Sequence, residues 1–205
     1  LRRAAILGGS HSAWSAAWKL LRHADPDLEV TIICRRKPRA FFDSEQAALE
    51  AGYRDFDPDR DICPLTRRVF RLGGLRGDAL KLFLEGHPRL KLQIRADFLL
   101  EPPPALLQRA DLLVNALGYE PACPPVFNGS KGRVLLASPR AVDADCRLLR
   151  RDGTPLEGLY AMGLGMGYRL PPEMGGEPGF SGQTNGLWLY QNDVGERVVR
   201  QLLDV

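Results

Sequence analysis

Apolar residues enter this chain in short runs set between polar breaks, and the spacing changes character from one run to the next. Ala4 to Leu7 is a brief apolar stretch that ends in Gly8-Gly9-Ser10-His11-Ser12-Ala13. Trp14, Ala17, Trp18 and Leu21 then recur at the spacing that places them on one side of a helix. His23-Ala24-Asp25-Pro26-Asp27 breaks that pattern, and Leu28 to Cys34 follows as a β-branched, almost wholly apolar run of the kind buried in a parallel sheet. Strand, tight turn, helix and strand are therefore predicted by Cys34, which completes one βαβ unit.

Further along, Ser44 to Ala51 reads as a helix with Ser44 as its cap, and the acidic stretch around Pro58 is assigned no element. Gly77-Asp78 precedes a short helix over Ala79 to Leu84. Leu90 to Phe98 alternates as a strand does, with Leu90, Leu92 and Ile94 set against Lys91, Gln93 and Arg95. Pro102-Pro103-Pro104 ends that segment before a brief helix, Ala105 to Arg109, and a buried strand, Leu112 to Ala116. Pro121 to Ser130 reads as loop, Val134 to Ala137 and Cys146 to Arg150 as strands, and Asp152-Gly153 as a turn. Leu159 to Met162 is expected to be a last buried strand, and a closing helix is expected from about Thr184 to Leu203. No internal repeat is visible. The order of elements predicts an α/β, Rossmann-like three-layer fold with a mainly parallel sheet, divided into residues 1–120 and a C-terminal segment, 121–205.

Composition narrows the class. With 205 residues, 44% of them hydrophobic and 26% charged, the chain can bury one good core. Its richest apolar segments, Asp111 to Gly118 and Leu159 to Met166, fall well short of the roughly 18 residues a spanning helix needs. A soluble, cytoplasmic protein is expected. No basic-apolar leader precedes the first strand, and so abrupt a start suggests a piece of a longer protein. Cys34, Cys63, Cys123 and Cys146 are widely separated, without a CxxC pair or zinc-ligand spacing, so reduced thiols and no metal are expected. The net charge of +3 is mild, but Arg35-Arg36-Lys37-Pro38-Arg39 and the run from Arg67-Arg68 to Arg76 gather basic residues. Such clusters suit phosphate groups, and the second lacks the interleaved aromatics of single-strand binders, so no nucleic-acid partner is expected.

The first turn carries the strongest chemistry. A dinucleotide-binding turn needs small residues at three places, for the turn itself, for approach of the backbone to pyrophosphate, and for packing of helix on strand. Gly8, Ser10 and Ala13 fill those places, and the amides of Gly8, Gly9, Ser10 and Ser12 would point at phosphate oxygens with a helix dipole behind them. His11 lies inside the turn, where its imidazole could bond phosphate or cap the helix; nothing marks it as a catalytic base. Where a carboxylate would bind a ribose diol, this chain has Cys34, Arg35 and Arg36, followed by Lys37, with no acid until Asp43. Guanidinium groups at that position favour a 2′-phosphate, hence NADPH over NADH. No residue stands out as acid, base or nucleophile, so catalytic residues are left unassigned.

In these residues the chain resembles flavin-dependent monooxygenases of the N-hydroxylating and flavin-containing type. Their second nucleotide domain has a turn like Gly8 to Ala13 and an arginine like Arg35 or Arg36 after the next strand. Asn115-Ala116-Leu117-Gly118-Tyr119-Glu120-Pro121 is similar to the segment by which such proteins pass back from nucleotide domain to flavin domain, although Asn115 and Leu117 stand where Ala and Thr are usual. Gly158 to Gly163 is similar to a strand that brings backbone to the flavin, and Gly175-Gly176-Glu177 through Gln183, Thr184, Asn185 and Gly186 would approach its ring. The resemblance implies an FAD- and NADPH-dependent oxidoreductase acting on a small-molecule substrate, with an N-terminal FAD-binding region or partner chain still to be supplied. It leaves open an NADPH-dependent reductase or oxidase that oxygenates nothing, and a non-catalytic NADP(H) sensor.

Overall fold

Alternation along the first strand sets the architecture. In the computed structural model, which describes residues 1–97, 104–118, 125–127, 129, 132–136, 141–163, 166–182 and 193–203, the chain divides into two units. The first comprises Leu1–Gly118 with Glu177–Gly179, and the second Tyr119–Gly176 with Phe180–Val205.

The first unit is built on strands β1 (Arg3–Leu7), β2 (Glu29–Cys34), β3 (Leu90–Ile94) and β4 (Leu112–Asn115), all parallel, in the order β3-β2-β1-β4. Ile6 lies opposite Ile32 on one side and Val114 on the other, and Ile32 lies opposite Leu92. Helix α1 (His11–His23) buries Trp14, Ala17 and Leu21 of the predicted stripe, together with Ala13, and leaves Trp18 partly buried. It packs with Ala79 and Leu82 of helix α4 (Gly77–Glu85) against Ala4, Ile6, Val30 and Ile32. Trp14 meets Phe83 of α4 edge to face, with ring centroids 5.2 Å apart. Ala5 and Ile33 alternate to the opposite face and are buried as well, which explains why β1 and β2 are apolar throughout. Helices α1 and α4 share one face, and the connection bearing α5 (Pro104–Gln108) leads from β3 at one edge to β4 at the other. The result is an α/β fold with a parallel four-stranded sheet.

Two strands depart from the burial expected of them. Leu92 is 37% exposed and Ile94 50%, so the alternation of β3 does not become a buried stripe. Leu113 of β4 is 54% exposed, and only Leu112 and Val114 reach the core. Both are edge strands, and α1 and α4 are centred on β1 and β2.

Between β2 and α4 the chain folds a small lobe of its own around Ala40, Phe42, Ala48, Tyr53, Ile62, Val69 and Phe70. Helix α2 (Glu45–Glu50) starts as expected at Ser44, whose side chain accepts from the Ala47 amide at 3.1 Å. The unassigned acidic stretch contains a four-residue helix, α3 (Pro58–Asp61), capped by the Asp57 carboxylate. Residues 177–179 return to this unit. The buried Glu177 carboxylate accepts from the amides of Leu72 and Gly73 at 2.9 and 3.0 Å, and the Gly179 amide donates to the Arg60 carbonyl.

The second unit contains two antiparallel ribbons, β5 (Val126–Phe127) with β6 (Arg133–Val134) and β7 (Arg147–Leu149) with β8 (Pro155–Tyr160), and a helix, α6 (Gly195–Leu202). Its core is Ala141, Val142, Cys146, Leu148, Leu156, Tyr168, Val194 and Val198. Burial pushes the Cys146 thiol up to about 12, with Asp143 and Asp145 adding to the effect. The expected Asp152-Gly153 turn is present: Asp152 Oδ1 accepts from the amide and hydroxyl of Thr154. Two expectations change. The Pro- and Gly-rich stretch from Pro121 contributes β5, and the last strand, expected over Leu159–Met162, runs from Pro155 to Tyr160 and leaves Leu159 and Met162 exposed, because among the described residues β8 pairs only with β7. The start expected for the closing helix, Thr184, lies outside the described residues. Among the described residues, no helix is long and apolar enough to cross a membrane, and Cys34, Cys63 and Cys146 are buried.

The contrast between central and edge strands is testable by denaturant unfolding. Ile32→Ala, at a fully buried position, is expected to cost about 2–5 kcal/mol, whereas Leu92→Ala should stay within about 0.5–1 kcal/mol.

Candidate functional site

The strand order reverses between β1 and β4, and in open α/β sheets the crevice outside the carboxyl ends of the strands at such a point is where ligands bind. Gly8 and Gly9 occupy that place because nothing larger fits. A Cβ on Gly8 would stand 2.2 Å from the Ala116 carbonyl oxygen, and its φ of +129° disfavours any L side chain. A Cβ on Gly9 would stand 2.6 Å from Cβ of Cys34. The turn is thus pressed between the ends of β4 and β2, and the Gly8 amide donates to the Ile33 carbonyl at 2.9 Å.

Ser10 opens α1: its carbonyl accepts from the amides of Ala13 and Trp14 at 3.0 and 3.3 Å, while its side chain makes no capping bond. The first turn carries no acid, and Ser10, His11 and Ser12 are exposed. A 13-residue helix therefore presents an uncapped, partially positive end to solvent beside the two glycines. Amides so placed donate to phosphate oxygens.

At the end of β2, the buried Cys34 thiol donates to the Arg36 carbonyl at 3.1 Å, which holds the chain as it leaves the sheet; burial pushes that thiol above its ordinary pKa. Arg35, Arg36 and Lys37 are exposed there. Lys37 pairs with Asp55 at 2.8 Å, and among the described residues neither Arg35 nor Arg36 has an ion-pair partner. At the end of β4, Asn115 Oδ1 accepts from the Leu117 amide at 3.1 Å, so the side chain turns the strand and keeps its NH₂ as a donor. The Ala116 amide donates to the Leu7 carbonyl at 2.8 Å, and Gly118 takes φ +106°.

The fold thus gathers Gly8, Gly9, Ser10, His11 and Ser12 beside the ends of β2, with Arg35, Arg36 and Lys37, and of β4, with Asn115, Ala116, Leu117 and Gly118. Gly163 belongs to the second unit. Gln183 and Asn185 lie outside the described residues.

One contributor escapes sequence reading. A cleft of about 280 Å³ runs between α1 and the start of α4, lined by His11, Ser15, Trp18 and Lys19 on one side and by Arg76 through Ala79 on the other. Desolvation first, and the Arg76 charge second, lower the His11 pKa from 6.5. Arg76 stands out in sequence only as the end of a basic run.

No family model matches this chain. It is 40% identical, over an alignment of 222 positions, to the CMP-5′-(3-aminopropyl)phosphonate hydroxylase of Streptomyces rubellomurinus. The alignment takes in 97% of this chain and 49% of that protein, so the chain spans about half the length of its curated relative. The chain is similar to part of a hydroxylase. A solved structure of the ornithine N-hydroxylase of Kutzneria sp. 744, with reduced FAD, NADP⁺ and L-ornithine, covers all of this chain with 54% of its own, at 18% identity and a TM-score of 0.43. A likeness that loose carries no argument.

Two measurements follow from the geometry. Gly8→Ala combines a disfavoured φ with a backbone clash and should cost at least about 1–3 kcal/mol in denaturant unfolding. For His11, the unfolded imidazole takes up its proton near 6.5 and the folded one at lower pH. Stability from this group is therefore complete above 6.5 and is lost as pH falls through 6.5 toward the folded value. His11→Gln should lessen the drop in stability between about pH 7 and pH 5 relative to the parent chain.

Proposed function

We propose that this chain is the NADPH-binding portion of an FAD-dependent monooxygenase. The observation that carries the reading is the turn at the β1/β4 crevice, where two glycines have no room for a Cβ, an uncapped helix begins, and Arg35 and Arg36 have no carboxylate partner among the described residues. These residues fit a phosphorylated dinucleotide: the amides suit pyrophosphate and the guanidinium groups suit a 2′-phosphate. The 40% identity to a hydroxylase supports the hydroxylating role over a simple reductase.

In this reading the amides of Gly9, Ser10 and Ser12 hold the pyrophosphate, Gly8, whose own amide donates to the Ile33 carbonyl, lets the turn approach it, and His11 lies against the same anion. Arg35, Arg36 and Lys37 hold the 2′-phosphate. Asn115, Ala116, Leu117 and Gly118 line the crevice where the dinucleotide passes over β4, with the Asn115 NH₂ available to donate. Gly163, Gln183 and Asn185 are assigned to the flavin side. When both cofactors are bound, NADPH supplies hydride and FAD carries the electrons to oxygen for hydroxylation. The remainder of a protein of the relative's length would supply the FAD-binding region, and a cytoplasmic location is part of the proposal. The substrate is a small molecule, and the relative's own, CMP-5′-(3-aminopropyl)phosphonate, is the first to assay in a full-length enzyme.

Calorimetric titration with NADPH and NADH tests the nucleotide assignment. NADPH is expected to bind tighter, and Arg35→Ala/Arg36→Ala to weaken it by about ten- to a hundredfold while leaving NADH nearly unchanged. Equal affinity of the parent chain for the two, or equal loss in the double variant, overturns the assignment.

A further inference from the structure

We infer that the cleft between the starts of α1 and α4 is part of the nucleotide site, with Arg76 recognising the phosphate monoester on the adenosine ribose. The inference rests on the nucleotide-binding reading above and adds a specificity residue to it. The position follows from topology. Helix α4 returns the chain from β2 to β3 on the same face as α1, so its first residues stand near the end of β2, where the ribose is read. Local bonds hold Arg76 there. The Leu75 amide donates to the Arg39 carbonyl at 2.7 Å, and the Phe41 amide donates to the Leu75 carbonyl at 3.1 Å. Arg76 is thereby tied to the stretch of chain that leaves β2 through Arg35, Arg36 and Lys37.

The guanidinium is also held in advance. It lies 4.0 Å from the centroid of the Phe41 ring, and donates to the carbonyl of Gly74 at 3.4 Å and to that of Arg71. It is half-buried, yet among the described residues it has no ion-pair partner within 4 Å. The nearby acids are engaged elsewhere: Glu177 accepts amides of Leu72 and Gly73, and Asp43 pairs with Arg68 at 3.3 Å. Among the described residues, Asp78 is the one acid lining the cleft, against Lys19 and Arg76. Across the cleft His11 and Ser15 offer further donors, and neither helix is capped by a side chain at this end. A desolvated, planar guanidinium with unused donors, facing a cationic cleft, is suited to an anion with several oxygens, and a phosphate monoester is dianionic and presents three. Arg35 and Arg36, on the exposed chain, would close over the same group.

The test is calorimetric titration of the whole 205-residue chain with 2′,5′-ADP and 5′-ADP, and of its Arg76→Met and Arg76→Lys variants. Met keeps an apolar stem against Phe41 and removes the charge; Lys keeps the charge and loses the planar fork. Arg76→Met is expected to weaken 2′,5′-ADP by about ten- to a hundredfold with 5′-ADP unchanged, and Arg76→Lys to fall between. Unchanged 5′-ADP affinity doubles as the control for folding. If the parent chain prefers 2′,5′-ADP and both variants keep that preference, Arg76 is not the residue and the nucleotide reading stands. Equal weakening of both ligands assigns Arg76 to the 5′-phosphate that they share, or to the fold, and overturns the inference. Should Arg76→Met fail to fold, Arg76→Lys decides alone by the ratio of the two affinities. A parent chain that binds neither ligand overturns both readings.

Discussion

Three pieces of backbone meet at the end of β1 with no space left between them. The Gly8 Cα faces the carbonyl oxygen of Ala116, the Gly9 Cα faces the Cys34 side chain, and the helix that begins at Ser10 is packed onto the same strands. Because a methyl group at either glycine would collide with its neighbour, the turn can take only this course. That course aims the uncapped end of α1 at the crevice where the strand order reverses. The open start of α1 is thus a by-product of packing: tight contact between strand ends fixes the turn, with the Gly8 amide bonded to the Ile33 carbonyl, and leaves the uncapped helix end facing solvent.

The lobe inserted between β2 and α4 extends the same logic. Its own core of Phe42, Tyr53, Val69 and Phe70 lets 42 residues intervene between β2 and α4 without disturbing the sheet. Its bonds across Arg39, Ala40 and Leu75 bring the start of α4 back beside the end of β2. A cation far along the chain becomes a neighbour of the turn. His11 registers that arrangement electrostatically, since its pKa falls with desolvation and with the approach of Arg76. The Cys34 thiol, by contrast, is a structural group: buried and bonded to the Arg36 carbonyl, it fixes where the basic segment leaves the sheet.

Much of the first unit was legible because its signals are local. The apolar runs of β1 and β2, the helical spacing of Trp14, Ala17 and Leu21, the Ser44 cap and the glycine turn all depend on residues a few positions apart, and each appears where its spacing puts it. The second unit was less legible. Its described strands are short, form two-stranded ribbons and leave Leu159 and Met162 exposed, so hydrophobicity no longer reports burial there. The same failure appears at β3 and β4, where the pattern of Leu90, Leu92 and Ile94 is that of a half-buried strand but the edge position leaves most of it in solvent.

By itself, then, the sequence determined the βαβ unit, the parallel order expected of it, and the absence of an acid where Arg35 and Arg36 follow the second strand, because these follow from spacing and residue type within one stretch of chain. Only the tertiary structure decided that Ala116 closes over Gly8, that Glu177 caps the loop at Leu72 and Gly73, and that Arg76 faces His11 across a cleft. Each of those joins residues separated by many positions, and no local pattern encodes a contact whose geometry is set by how strands and helices pack.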